Sequence, residues 1–192
     1  EDFQSFLKKN FHVGLTQSEG ATRLVLARME EGDPEAYRIE VSEQEICISS
    51  AGEAGLFYAL QTLKQILLTN GCKIPSLSIN DAPLYHYRGF MLDVGRYFYP
   101  VEEVKHFLDL MAVHKLNIFH WHLTEDQGWR VEIKKYPLLT SMSAWRVPLA
   151  DGEWNWQEVK LAIQEHDPEA TYGGFYTQEQ MREIIAYARS RQ

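Results

Sequence analysis

Residues 87–130 read YRGFMLDVGRYFYP (87–100), VEEVKHFLDLMAVHKLN (101–117) and IFHWHLTEDQGWR (118–130). The order is strand, loop, helix, strand, loop, with the polar residues gathered where the strands end. Arg88–Val94 is an apolar run rich enough to predict a strand buried on both faces, as parallel strands are. Tyr99-Pro100 breaks it, and Pro suits a helix entrance because the missing N–H would be unpaired there anyway. Glu102 and Glu103 follow in the first turn, where the helix dipole favours anions. Val104, Phe107, Leu108 and Met111 recur at helical spacing and give one apolar face. Asn117–Leu123 is a second apolar run of strand length. A strand, a crossover helix and a parallel strand make a βαβ unit, whose ligands bind beyond the carboxyl ends of the strands. Asp93–Tyr97 and Thr124–Trp129 therefore fall side by side at a candidate site.

Four kinds of residue in and beside those loops carry chemistry. Arg96 has two readings: an ion-pair partner of Asp93 or Glu125 that holds two loops together, or a forked donor to vicinal hydroxyls, which planar guanidinium suits. Glu125 and Asp126 end the second strand, and as neighbours they point to opposite sides of an extended backbone and do not share one task. That also argues against a two-carboxylate glycosidase pair, whose groups face each other across the substrate. Asp126, with Gln127-Gly128, is read as fixing the turn. Asp93 is expected as a packed partner of Arg96 or His122. His120 and His122 share a strand face; the same HxH spacing opens the metal site of the metal-dependent amidohydrolase barrels. The other reading of the pair is histidines hydrogen-bonded in a barrel interior.

YRGFMLDVGRYFYP followed by KLNIFHWHLTEDQGWRVEIKKYP closely resembles the start of the catalytic barrel of glycoside hydrolase family 20, the exo-β-N-acetylhexosaminidases. The likeness is near-continuous from Tyr85 to Trp145. It implies an α/β fold: an incomplete (β/α)8 TIM barrel, its first two strand–helix units, preceded by a small α+β domain. It also implies that Arg96 grips the 3- and 4-hydroxyls of a terminal sugar, and that Glu125 orients a pocket histidine from a later loop, where Asp is frequent in the family. Asp93, Asp126 and His122 would support them. The Asp-Glu pair used for catalysis in that family lies on a later strand, so no catalytic residue is expected among these 192 residues.

Composition bounds the alternatives. Hydrophobic content of 45% and charged content of 24% are those of a globular chain with a real core. A formal charge of -8 argues against nucleic acid or an anionic membrane as partner, since both need basic patches. No stretch approaches the roughly 20 apolar residues of a membrane span. The two cysteines, Cys47 and Cys72, are too few for a disulfide framework, and Cys47 between two isoleucines reads as a buried thiol. An aromatic fraction of 12% suits sugar stacking and an aromatic core alike.

Outside the central stretch, periodicity predicts a helix at residues 2–11 capped by Asp2, a strand over 21–28, and a hairpin of 37–41 with 45–48. A long amphipathic helix follows over 52–68, with Gly71 at its end. A short strand over 74–79 leads to a linker at Asn80-Asp81-Ala82-Pro83. Residues 1–83 thus form the small non-catalytic α+β domain, and 84–192 the barrel portion. In the long segment after the second strand, Asp151-Gly152 predicts a hairpin of Trp145–Leu149 with Glu153–Trp156. Trp129, Trp145, Trp154, Trp156 and Tyr172 either wall a sugar pocket or pin this segment. Thr177 and Gln180 form a capping box for a helix burying Met181, Ile184, Ile185 and Ala188.

The function expected is hydrolysis of terminal β-linked N-acetylglucosamine or N-acetylgalactosamine by a substrate-assisted, retaining route in the full-length protein. This chain alone is expected to be inactive, and to need the remainder of the barrel or a partner chain to cover its open sheet edge. No cofactor and no metal are implied. The alternatives are an amidohydrolase-type barrel using His120 and His122, or a non-enzymatic sugar-binding piece. A periplasmic or secreted home is expected from the sugars such enzymes meet.

Overall fold

In the computed structural model, which describes residues 2–16, 22–149 and 159–191, the chain divides between His86 and Tyr87 into two units. The first holds α1 (Asp2–Phe11), β1 (Arg23–Arg28), β2 (Tyr37–Val41), β3 (Glu45–Ser50), α2 (Glu53–Asn70) and β4 (Leu77–Asp81). Its sheet runs β1-β3-β2-β4; β1 lies parallel to β3, and β2 is antiparallel to both neighbours. The alternation in YRIEV does the sorting: Tyr37, Ile39 and Val41 face inward, and Arg38 faces out. Against that face pack Tyr58, Ala59, Leu63 and Leu67 of α2, with Phe3 and Leu7 of α1. Gly55 permits the close approach, since a Cβ there would lie 2.4 Å from the Ala36 carbonyl oxygen. Gly71, at φ 68°, ends α2 and returns its amide to Leu67 O.

Two expectations for this unit shift. The last strand is β4 at Leu77–Asp81, not residues 74–79, so Asn80 and Asp81 belong to the sheet instead of a linker. The register is the reason: Tyr37 pairs with Asp81 across the ladder, and its hydroxyl donates to Asp81 Oδ2 at 2.5 Å. Cys47 is half-buried and Cys72 exposed, both as free thiols.

The second unit opens with β5 (Gly89–Asp93), α3 (Val101–Val113) and β6 (Ile118–His122). β5 and β6 are parallel, with Asp93 opposite His122. Then come β7 (Thr124–Glu125), β8 (Gly128–Trp129), α4 (Leu138–Ser141), β9 (Trp145–Arg146), β10 (Tyr172–Gly173) and α5 (Gln178–Ser190), the last packed beside α3. Leu92, Val94, Val104, Leu108, Met111, Tyr176 and Ile184 make the core, flanked by Phe90, Phe119 and Trp121.

The expectation of a strand buried on both faces is corrected here. Phe90 and Leu92 join the helix-side core, whereas Met91 is 50% and Ile118 39% exposed, and His120 shares the open side. Among the described residues, only the face turned to α3 and α5 is covered. The capping box of α5 is present in both directions, through Gln180 N to Thr177 Oγ1 and Thr177 N to Gln180 Oε1. Ile185, expected inside, is 46% exposed, because the inward stripe runs through Met181, Ile184 and Ala188.

The partner of Trp145–Arg146 also differs from the expected hairpin. β9 pairs antiparallel with β10, and Arg146 bridges to Leu161. Asp151-Gly152, Glu153–Trp156 and their two tryptophans lie outside the described residues.

Candidate functional site

The site is assembled where β5 and β6 end. The Val94 amide donates to His122 O at 3.1 Å, which carries the pairing one step past the strands. The chain then turns through Asp93-Val94-Gly95-Arg96, and the Asp93 carboxylate accepts the Arg96 amide at 3.1 Å. The same carboxylate takes Arg96 Nη1 at 2.8 Å, while Nη2 reaches Glu125 Oε2 at 3.1 Å. Arg96 Nε donates to Gln127 Oε1 at 3.0 Å. Each Nη keeps one further N–H beyond the one given to a carboxylate. The Arg96 side chain remains 34% exposed, so those donors have a solvent-facing outlet. Arg96 is therefore the loop-holding ion-pair partner and a preorganised fork at once.

Glu125 does not end the second strand, as read from sequence. β6 stops at His122, and Glu125 belongs to β7, which pairs antiparallel with β8 across the two-residue turn Asp126-Gln127. The hairpin aims Glu125 at Arg96 and leaves Asp126 exposed, in keeping with separate tasks for the adjacent acids. The Asp126 amide donates to Glu125 Oε1 at 3.1 Å. His122 Nε2 lies 3.3 Å from Glu125 Oε2 and 3.1 Å from Thr124 O. The rings of His120 and His122 are stacked 6.2 Å apart. Among the described residues, no group of three His, Cys, Asp or Glu side chains is arranged to hold a metal ion.

The charges stabilise one another. Burial pushes Asp93 up, but the Arg96 amide and guanidinium outweigh it and hold the carboxyl below its usual range. The Asp126 backbone amide holds Glu125 down, helped by the charges of Arg96 and His122. Arg96 is raised in turn, chiefly by its hydrogen bond to Asp93. Gly95 lets the two loops meet, since a Cβ there would come within 2.9 Å of Glu125 Cβ.

Three site-forming residues are not evident from sequence. Gln127 reads in sequence as a turn residue, yet its amide oxygen fixes Arg96. Arg130 is fully buried and, among the described residues, has no carboxylate partner; its guanidinium donates to Val94 O (2.8 Å), Gly95 O (2.9 Å), Ala144 O (2.5 Å) and Gly174 O (3.1 Å). Burial pushes it down to about 10, so it stays protonated at neutral pH. Arg146, 2% exposed, stacks on the rings of Tyr97 and Tyr172. A buried Arg that binds backbone carbonyls leaves no pairwise signal in the sequence. The described tryptophans of this segment pin it: Trp129 Nε1 donates to Val131 O at 2.7 Å and Trp145 Nε1 to Thr140 O at 3.1 Å.

Residues 85–192 match the profile described as glycosyl hydrolase family 20, catalytic domain, and residues 1–82 that described as glycosyl hydrolase family 20, domain 2. The chain belongs to glycosyl hydrolase family 20. It is 40% identical over 174 residues to a beta-hexosaminidase of Vibrio furnissii, covering 90% of this chain and 27% of that protein. It is 35% identical over 161 residues to an N,N'-diacetylchitobiase of Vibrio harveyi, covering 81% of this chain and 18% of that one. Among solved structures, the family 20 exo-β-N-acetylglucosaminidase of Vibrio harveyi in complex with N-acetylglucosamine superimposes with a TM-score of 0.79 at 38% identity. That alignment takes in 98% of this chain and 29% of the other. The chain thus spans about a quarter of the length of such family 20 relatives.

Proposed function

We propose that residues 87–192 form the opening of a (β/α)8 barrel, with residues 1–86 as its non-catalytic companion, in a gene product that removes terminal β-linked N-acetylglucosamine or N-acetylgalactosamine. The observation that carries this reading is Arg96, held by Asp93, Glu125 and Gln127 beyond the carboxyl ends of two parallel strands. Its remaining Nη donors suit vicinal ring hydroxyls, and the fixed fork loses little freedom when they bind. Arg96 then grips the 3- and 4-hydroxyls of the terminal sugar. Glu125 presents its carboxylate to a pocket histidine from a later loop, with His122 beside it, while Asp93 keeps Arg96 in place and Asp126 shapes the turn.

The reaction follows the substrate-assisted, retaining scheme. The acetamido oxygen of the sugar is the nucleophile, an Asp steers it, and a neighbouring Glu protonates the leaving oxygen. Both acids belong to a later strand, and family 20 chemistry of this kind uses no cofactor. A periplasmic or secreted location fits such substrates.

The test is hydrolysis of p-nitrophenyl N-acetyl-β-glucosaminide by the complete gene product, with the first-formed anomer read by proton NMR. Release of the β-anomer is expected. No turnover of either the gluco or the galacto substrate, or release of the α-anomer, overturns the reading.

A further inference from the structure

We propose that Arg130 is a positioning residue for the amino-sugar site, one that fixes how far the Arg96 loop stands from Glu125. Its backbone belongs to the Glu125 side: the Arg130 amide donates to Leu123 O at 3.0 Å and continues the β7–β8 pairing. Its side chain belongs to the Arg96 side, because Nε and Nη2 take the carbonyls of Val94 and Gly95, the two residues before Arg96. One residue therefore spans both halves of the site. The third donor, Nη1, takes Ala144 O and Gly174 O and ties in the segments around β9 and β10.

The glycines around it show how little slack the arrangement has. A Cβ on Gly128 would lie 2.4 Å from Arg130 Nη2 and 2.5 Å from Gly95 O, and one on Gly95 would lie 2.9 Å from Glu125 Cβ. The two loops meet backbone to backbone, and the guanidinium closes the layer beneath them. With 0% exposure, Arg130 cannot touch a sugar in the mouth, so it acts through Arg96 and Glu125. A carboxylate partner would claim only one edge of the fork; carbonyls from four places let a single planar group set a spacing.

The kinetic arm of the test rests on the hydrolase reading; the spectroscopic arm does not. In the complete gene product, kcat and KM for p-nitrophenyl N-acetyl-β-glucosaminide are measured for wild type, Arg130→Lys, Arg96→Ala and the double variant. Arg130→Lys is expected to lower kcat/KM by about 10²-fold, the scale of a misplacement near 1 Å. In the Arg96→Ala background the same change is expected to cost only a few-fold, because the group it positions is gone. In the 192-residue chain, the Arg96 Nε–H resonance, assigned by its absence in Arg96→Ala, is expected to be sharp in wild type. It should be broadened in Arg130→Lys while the indole signals of Trp129 and Trp145 persist. An equal kinetic factor in both backgrounds, or an unchanged Arg96 resonance, overturns the proposal. If wild type shows no turnover, the hydrolase reading fails and the resonance alone decides this one. Arg130→Gln, which keeps an amide donor without the charge, replaces Arg130→Lys if that variant does not fold. If neither folds, Arg130 serves folding alone and the proposal falls.

Discussion

Arg96 illustrates how a single residue answers to two constraints. Its side-chain acceptors Asp93, Glu125 and Gln127 hold the guanidinium still, and on the proposed reading that immobility suits its remaining N–H groups to sugar hydroxyls. Arg96→Ala should remove about two charge-assisted hydrogen bonds to the sugar, worth roughly 1.5–3 kcal/mol each. The expected loss is about 10² to 10⁴ in kcat/KM for the complete gene product; a change under tenfold assigns Arg96 to loop-holding only. Asp93 gives a pH prediction. Its folded pKa lies below its unfolded value, so its contribution to stability is present above about pH 4 and is lost as the pH falls through the depressed folded value. Urea midpoints of wild type and Asp93→Asn should therefore differ by a constant gap near neutrality that closes in acid. A pH-independent gap would show that the carboxylate charge is not what matters. That Arg96, Asp93 and Glu125 meet is legible in the sequence, because strand ends and charge are written there. The parts of Gln127 and Arg130 are not: their roles depend on which backbone carbonyls and which loop the fold brings near them, and carbonyls carry no residue identity.

At the scale of elements, the long periodic segments were readable and the short pairings were not. α2, α3 and α5 follow from apolar spacing and their terminal signals. β7 and β8 have only two residues each, too few for any alternation to register, so in the sequence the hairpin that aims Glu125 at Arg96 reads as the end of a strand. β9 pairs with β10 across a long sequence separation, where a local turn signal at Asp151-Gly152 pointed elsewhere. One terminal signal can be tested directly. Thr177 caps α5 by accepting the Gln180 amide at 3.1 Å, and Gln180 returns a bond to the Thr177 amide at 2.9 Å. Thr177→Ala should cost about 1 kcal/mol of stability in denaturant titration. A loss much below half of that would mean solvent replaces the cap.

At the scale of the molecule, the parallel pair β5–β6 exposes what the first unit hides. In residues 1–86 the sheet face that carries Tyr37, Ile39 and Val41 is covered by two helices, so that unit has a closed core of its own. In residues 87–192 the side of β5 and β6 away from α3 carries Met91, Ile118 and His120 in solvent. Parallel strands are ordinarily covered on both faces, and a closed barrel supplies the second cover with side chains from its other strands. A barrel of this kind takes about 250 residues, and residues 87–192 are under half of that. On the proposed reading the Arg96 mouth has one wall in residues 87–192, and the acid for the leaving oxygen and the carboxylate that steers the acetamide come from a later strand. The purified 192-residue chain should therefore give no release of p-nitrophenol from the N-acetyl-β-glucosaminide above the buffer rate, under conditions where the complete gene product turns over. Adding the remaining residues of that product as a separate chain should restore activity if the open face is where they dock. Turnover by the 192 residues alone would require an acid among their own side chains, with Glu125 beside Arg96 the first to replace by Gln.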